Sequence, residues 1–193
     1  MKASSLWKTL TQAQRRAWNA WAKNNPVMLD DGNVRRVSGR KAMTMVLRNR
    51  ALAGDAADPT VVPAAVAWLD GALTLEDAGP FTENAGYVGF HVAQVLAAAT
   101  KWFVWATPPM TGLETQARPD FRFVKMLALP PITPEDLVPS FGDEYLAVHG
   151  SWDGPGEEGE WPVDTFIYFR LHQYANGQLS PGTVLQGRIQ IEL

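Results

Sequence analysis

Apolar residues near the start of the chain recur at the three- and four-residue steps of an amphipathic helix. In residues 12–24 this stripe is formed by Ala13, Ala17, Trp18, Trp21 and Ala22. Thr11 and Gln14 have the spacing of a capping box, in which the hydroxyl and the amide satisfy free backbone N–H groups at a helix start. Pro26 cannot continue a helix. The pattern therefore predicts a helix over about residues 12–24.

A second helical pattern covers about residues 39–52 and is formed by Ala42, Met43, Val46, Leu47 and Arg50. Ser38 is a suitable N-cap for it, and Gly54 is suited to close it. Between the two helices, Asp31-Gly32-Asn33 predicts a turn. Helices of this length are marginal when alone in water, so we expect the pair to pack against something else.

Beyond about residue 55 the pattern changes to short runs with the period of two that is typical of β-strands. The clearest alternation is in residues 167–172 and again in residues 185–193, with turn signals at Asn176-Gly177 and at Ser180-Pro181-Gly182 between them. Earlier candidate strands are Leu73–Leu75, Tyr87–Val95, Lys101–Thr107 and Phe121–Met126. Short strands separated by turn signals favour an antiparallel β-sandwich.

Three further segments refine this prediction. Residues 102–105 are apolar on both faces, which indicates a central strand covered by another element, and the helix pair is one candidate for that cover. Thr133-Pro134-Glu135-Asp136 predicts a helical turn inside the sandwich, stopped by Pro139. Residues 151–162 are rich in Gly and Glu and predict an exposed acidic loop. The predicted fold class is α+β, mainly β, with an N-terminal helix pair before an antiparallel sandwich.

Charge divides the chain at the same place. Up to Asp55 there are eleven Lys/Arg against three Asp/Glu, a net charge of +8, whereas the remainder has six against seventeen, a net charge of −11. The predicted domains are a basic helical segment, residues 1–55, and an acidic sandwich domain, residues 56–193. A charge asymmetry of this size indicates that the chain has binding partners of opposite charge; it does not indicate catalysis.

The basic segment also carries indole rings, which concentrate in cores and at the anchors of interfaces. We expect an assembly interface formed by Trp7, Trp18, Trp21, Arg35, Arg36, Arg40 and Lys41. Two alternatives remain open at this stage: a solvated basic face, and a surface that binds the phosphates of a nucleic acid. About a dozen residues separate Asn25 from Ser38, which is too long for a tight helix-turn-helix motif.

Residues with catalytic potential do not form a recognisable pattern. The chain has no Cys, and its three histidines, His91, His149 and His172, have no acidic neighbour at metal-ligand spacing. We expect them to be structural. The glutamates of residues 157–160 and the acids of residues 30–33 match no EF-type loop, so an exposed loop and a turn explain them better than calcium binding does. The sequence thus predicts no enzyme, no cofactor and no metal site.

Two parts of the sequence carry resemblances. The tail, from Phe166 through Asn176-Gly177 to Pro181 and then from Thr183 to Leu193, looks like the last two strands of a fibronectin type III-like domain, and the step Trp105-Ala106-Thr107-Pro108-Pro109 is also similar to that module. The start of the chain is similar to uncharacterised phage and prophage-type proteins with a β-rich C-terminal part. The residues that carry this second resemblance are Trp7-Lys8-Thr9-Leu10-Thr11, residues 14–22, Gly32-Asn33 and Arg36-Val37-Ser38-Gly39.

The phage resemblance implies a structural component of a virion, such as a capsid decoration, head-fibre or tail-associated protein. Its expected partners are other virion proteins and further copies of itself in a homo-oligomer. No membrane-spanning run and no secretory signal are visible, so we expect synthesis in a cytoplasm. The resemblance implies that this is the cytoplasm of a bacterial host and that the protein resides in the virion. The alternatives are a nucleic-acid-binding protein, and a carbohydrate-binding module that uses Trp152 and Trp161 on the acidic loop.

Overall fold

The computed structural model describes residues 3–28, 34–66, 68, 81–82, 100–110, 120–129, 142–150 and 165–190. Its helices and strands, in chain order, are α1 (Ala3–Thr9), α2 (Gln12–Asn24), β1 (Val27–Met28), β2 (Val34–Arg35), α3 (Gly39–Leu52), β3 (Phe81–Thr82), β4 (Thr100–Ala106), β5 (Arg122–Leu129), α4 (Gly142–His149), β6 (Phe166–Ala175), β7 (Gln178–Leu179) and β8 (Thr183–Gln190). The fold class is α+β, with an antiparallel sheet and a few helices. The chain forms two compact units: unit 1 contains residues 1–68 and 173–181, and unit 2 contains residues 69–172 and 182–193.

The two predicted helices, α2 and α3, are confirmed together with their caps. The Thr11 hydroxyl accepts a hydrogen bond from the Gln14 backbone N–H at 3.3 Å, and the Gln14 side chain accepts one from the Thr11 N–H at 2.9 Å. The Ser38 hydroxyl accepts from the Lys41 N–H at 3.3 Å. Beyond the end of α3, Gly54 has the left-handed φ of +69° that often follows a helix. Local signals therefore determine where both helices begin and end.

Helix α1 and the strand pair β1–β2 were not predicted. The helix has seven residues, and β1 and β2 pair antiparallel over two residues each, lengths at which hydrophobic periodicity carries little signal. The predicted turn at residues 31–33 lies outside the described residues.

The core of unit 1 is built around Trp18, whose side chain has no exposed surface. Its ring meets that of Trp21 edge to face, with 5.8 Å between centroids, and its Nε1–H donates to the Pro59 carbonyl at 2.8 Å. At Gly39 the two helices approach so closely that a Cβ would lie 2.8 Å from the Trp18 carbonyl carbon. The buried residues of this core are Leu10, Trp18, Trp21, Ala22, Ala42, Met43, Val46 and Leu47.

Residues 173–181 return to unit 1 and complete it. Asn176 and Gly177 form the predicted turn between β6 and β7, with left-handed φ values of +51° and +82°. The backbone of Gly177 lies against α3: its carbonyl accepts a hydrogen bond from Asn49 Nδ2 at 3.0 Å, and a Cβ there would lie 2.7 Å from Cγ1 of Val46. Tyr174 donates its hydroxyl proton to Asp55 at 2.5 Å. Unit 1 therefore extends past the boundary predicted at residue 55 and includes a distant segment.

Unit 2 contains a sheet with the strand order β3-β8-β6-β4-β5. The pairs β4–β5 and β6–β8 are antiparallel, Met110 and Phe166 exchange two hydrogen bonds of 2.8 Å at the β4–β6 side, and β3 adds in parallel to β8. In β6 the residues Ile167, Phe169 and Leu171 are buried and alternate with partly exposed ones, as the period of two predicts. The predicted strands Leu73–Leu75 and Tyr87–Val95 and the helical turn at residues 133–136 lie outside the described residues.

Helix α4 was also not predicted, and it covers part of this sheet. The Tyr145 side chain is fully buried, donates its hydroxyl proton to the Thr107 carbonyl at 2.7 Å and lies 6.5 Å from the Phe169 ring. Glu144 forms an ion pair of 2.5 Å with Lys125 of β5. Trp102, Phe103 and Val104 of β4 are buried, which confirms that a covered central strand was correctly predicted there.

Replacing Gly177 by Ala tests whether the hairpin turn holds unit 1 together. A left-handed φ costs a residue with a Cβ about 1 kcal/mol, and the overlap with Val46 adds about 1–3 kcal/mol. Gly54 is the matched control, since its φ is also left-handed but no atom lies within 4 Å of the Cβ position. We expect Gly177→Ala to lower the unfolding free energy clearly more than Gly54→Ala in urea titrations. Equal losses would show that the close contact with α3 contributes nothing.

Candidate interaction surface

The cations predicted for an interface lie around the start of α3. Arg35 ends β2, Arg36 follows it, and Arg40 and Lys41 are in the first turn of α3; all four side chains are exposed. We call these four residues the basic surface. The Ser38 cap fixes the direction in which the chain enters the helix, so the positions of the cations follow from local hydrogen bonding.

The electrostatics of this surface are unusual for a helix start. The backbone dipoles give a helix N-terminus partial positive charge, so cations in the first turn are unfavourable by about 0.3–1 kcal/mol each. The first turn of α3 contains Arg40 and Lys41 and no acidic residue. Within the described part of the chain, Arg36, Arg40 and Lys41 form no salt bridge. The arrangement opposes helix stability and concentrates positive potential, which suits an anionic partner.

The three tryptophans of the predicted interface, unlike the cations, pack in or against the core of unit 1. Trp18 is fully buried and Trp21 is 9% exposed, both in the core of unit 1, so neither offers the large accessible ring that an anchor for a neighbouring copy needs. Trp7 is half-buried and packs against the same core, and its carbonyl accepts a hydrogen bond from Arg15 Nε at 3.0 Å. The structure thus corrects the expected interface: Trp18 and Trp21 are core residues, and Trp7 and the four cations retain accessible surface.

Sequence reasoning missed one residue beside the basic surface. Val34, in β2, is 50% exposed and directly precedes Arg35. An exposed β-branched residue among cations gives a partner apolar area to bury in addition to charge. A strand of two residues is too short for its pattern to predict that Val34 is exposed. The position of Val34 between a turn signal and two arginines was nevertheless a signal that it lies on a polar surface.

Other predicted features lie outside the described residues: the acidic loop at residues 151–162 with Trp152 and Trp161, and His91. In the parts of the chain that the structure describes, no three His, Cys, Asp or Glu side chains are grouped to hold a metal ion. Nor, in those parts, does any helix have the length and apolar character to cross a bilayer.

Comparisons with protein-family models, with curated proteins and with solved structures find no match to this chain.

Among the described side chains, His149 has a pKa that is shifted within the range from pH 4 to pH 7. It lies at the end of α4 with its ring 4.6 Å from that of Tyr145. Burial, helped by the positive charge of Arg122, lowers the pKa of His149 from 6.5 to about 4. His149 is therefore neutral in the folded protein at neutral pH. This is the behaviour of a packed histidine.

The lowered pKa of His149 predicts acid sensitivity of unit 2. Because the unfolded chain takes up this proton at about pH 6.5 and the folded chain only at about pH 4, stability falls as the pH drops through that window. We expect the melting temperature to fall between pH 6.5 and pH 4.5, and His149→Phe to flatten that slope. The pKa of Glu144 is also lowered, so its contribution to stability is lost mainly as the pH falls through and below the ordinary glutamate value of 4.5. An unchanged slope in the variant would assign the acid sensitivity to other groups.

The complete burial of Trp18 predicts that truncating its side chain destabilises unit 1. Trp18→Ala removes a fully buried indole and its hydrogen bond to Pro59, so we expect a loss of roughly 3–5 kcal/mol in unfolding free energy. Trp7→Ala, at a half-buried position, should cost clearly less. Chemical denaturation followed by circular dichroism measures both. Full stability of Trp18→Ala would contradict the packing of unit 1.

Proposed function

We propose that this chain is a non-enzymatic structural protein of a phage virion that acts through protein–protein assembly, with unit 1 as the docking unit. The basic surface is the observation that carries the proposal. Arg40 and Lys41 weaken the helix that bears them, so a benefit from outside the chain explains their position better than solvation does. The virion setting rests on the resemblance of residues 7–39 to phage and prophage-type proteins.

The charges of the two units suggest what the basic surface binds. Unit 1 contains eleven Lys/Arg and four Asp/Glu, a net charge of +7, and unit 2 contains six and sixteen, a net charge of −10. Unit 2 of a neighbouring copy therefore offers a surface of opposite sign. Contacts between unlike surfaces of identical copies are heterologous, and they close into rings or extend across a lattice. Other acidic virion proteins are partners of the same chemistry.

The β-rich part of the chain fits the same role. We propose a fibronectin type III-like sandwich for it, supported by the antiparallel pairing of β4 with β5 and of β6 with β8 and by the alternating burial along β6. A sandwich of this kind would serve as a spacer or outer module in a capsid decoration, a head fibre or a tail-associated protein. The proposal includes no cofactor, no metal and no membrane.

Nucleic-acid binding is the second candidate, favoured by the exposure of all four cations of the basic surface. Four cations that neutralise phosphates would make affinity fall steeply with salt, because each contact releases counterions. Both candidates use the same side chains, so they are separated by the identity of the anionic partner.

Reversing charge at the start of α3 tests the proposal without harming the fold. In Arg40→Glu with Lys41→Glu, the acids would complement the helix dipole, and Glu at position 41 would complete a capping box with Ser38. We expect the variant to be at least as stable as the parent chain but to lose self-association. Sedimentation velocity of the full chain at about 20 mM and about 150 mM salt, spanning the range over which surface charges become screened, measures the loss.

Arg16→Glu with Lys23→Glu is the matched control, because both residues are exposed on α2 and the change in net charge is the same. Self-association should survive in the control. If the parent chain is a monomer at low salt, assembly between its own copies is excluded. Salt-sensitive binding to labelled duplex DNA that is lost in the α3 variant would then favour the nucleic-acid candidate.

A further inference from the structure

Unit 1 contains a pocket of about 200 Å³, and none of the four basic-surface residues lines it. Its walls come from the C-terminal end of α2, the middle of α3, residues 65–68 and the turn at residues 177–179. All of these segments belong to unit 1. About 30 Å³ per water molecule makes this room for roughly seven waters, close to the bulk of one sugar ring.

Three carboxamide side chains in the wall are held in fixed orientations. The side-chain N–H groups of Asn25, Asn49 and Gln178 each donate to a backbone carbonyl, at 2.8, 3.0 and 2.8 Å respectively. Since the nitrogens are used in this way, the orientation of each amide is defined and its oxygen is left as an acceptor. Among the described residues, no donor occupies these three oxygens. Three residues of the wall therefore carry amide oxygens that are oriented by the hydrogen bonds of their own nitrogens and are available as acceptors.

Two indole rings, those of Trp21 and Trp68, also line the pocket. Trp21 is nine-tenths buried, and its Nε1–H has no hydrogen-bond partner among the described residues. A buried donor without an acceptor is uncommon in folded proteins and calls for an explanation. A ligand oxygen that reached this N–H after a small shift of the wall would satisfy it. None of the described lining residues is charged.

We propose that this pocket binds one ring of a neutral saccharide. A sugar ring carries several hydroxyl groups close together, and these can donate hydrogen bonds to the three amide oxygens. The C–H face of the ring can lie against an indole. Ammonium and guanidinium groups would also donate to these oxygens, but the net charge of +7 on unit 1 opposes a cation. A peptide would bring its own carbonyl oxygens against the amide oxygens, and an extended strand needs a groove rather than a compact pocket. This inference does not depend on the assembly role.

Two-dimensional ¹H–¹⁵N NMR of the full chain tests the proposal, because the indole N–H signals of Trp21 and Trp68 report directly from the wall. The probes are glucose, galactose, mannose and N-acetylglucosamine, with methylammonium as the cationic probe. A dozen ligand heavy atoms correspond to a Kd on the order of 1 mM. We expect at least one sugar to shift both indole signals saturably and methylammonium to shift neither.

Two substitutions at neighbouring exposed alanines give a matched pair. Ala65 lines the pocket, so Ala65→Trp should fill it and weaken sugar binding by at least about tenfold. Ala64 does not line it and contributes only its carbonyl, so Ala64→Trp should leave the Kd within about twofold. Neither substitution removes a donor or an acceptor of the hydrogen bonds described above. The proposal is overturned if no sugar shifts the indole signals, if only methylammonium does, or if Ala65→Trp binds sugar like the parent chain.

Discussion

The burial of the Trp18 indole between α2 and α3 is the interaction on which unit 1 depends. Each helix is too short to be stable alone, and the indole is the largest fully buried side chain among the described residues. Its N–H would be costly to bury without a partner, and the Pro59 carbonyl provides one at 2.8 Å. The segment after α3 is thereby tied to the helix pair. The basic surface and the pocket both rest on this frame, so neither would keep its geometry if the indole were displaced.

Features that depend on neighbouring residues could be predicted from the sequence. The caps at Thr11 and Ser38, the bounds of α2 and α3 and the left-handed turn at Asn176-Gly177 follow from local hydrogen bonding, turn chemistry or periodicity. The central strand β4 follows from a short run that is apolar on both faces. Helices α1 and α4 were missed because seven or eight residues give a weak periodic signal. The location of Trp18 inside its own unit was missed for a different reason. Periodicity identifies an apolar face but does not say which surface covers it.

The basic surface could be predicted from the sequence, whereas the pocket could not. Charged side chains are rarely buried in a protein interior, so the exposure of Arg36, Arg40 and Lys41 could be expected from the sequence. The pocket could not, because its amides at positions 25, 49 and 178 come from three separate segments and only the tertiary structure brings them together. Neither residue type nor spacing distinguishes Asn49 from any other helical asparagine.

The return of residues 173–181 to unit 1 has a consequence for biosynthesis. Asn49 and Gly177, which are joined by a hydrogen bond, are separated by 128 residues, and unit 2 is largely an insertion between the two parts of unit 1. A nascent chain exposes α2 and α3 on the ribosome long before it makes the turn that completes their packing. Closing so long a loop is slow, and apolar surface left open meanwhile favours association with the wrong partner. The helix pair thus completes its packing only after residues 173–181 have been made, and a gene fragment ending near residue 68 would encode an unfinished core.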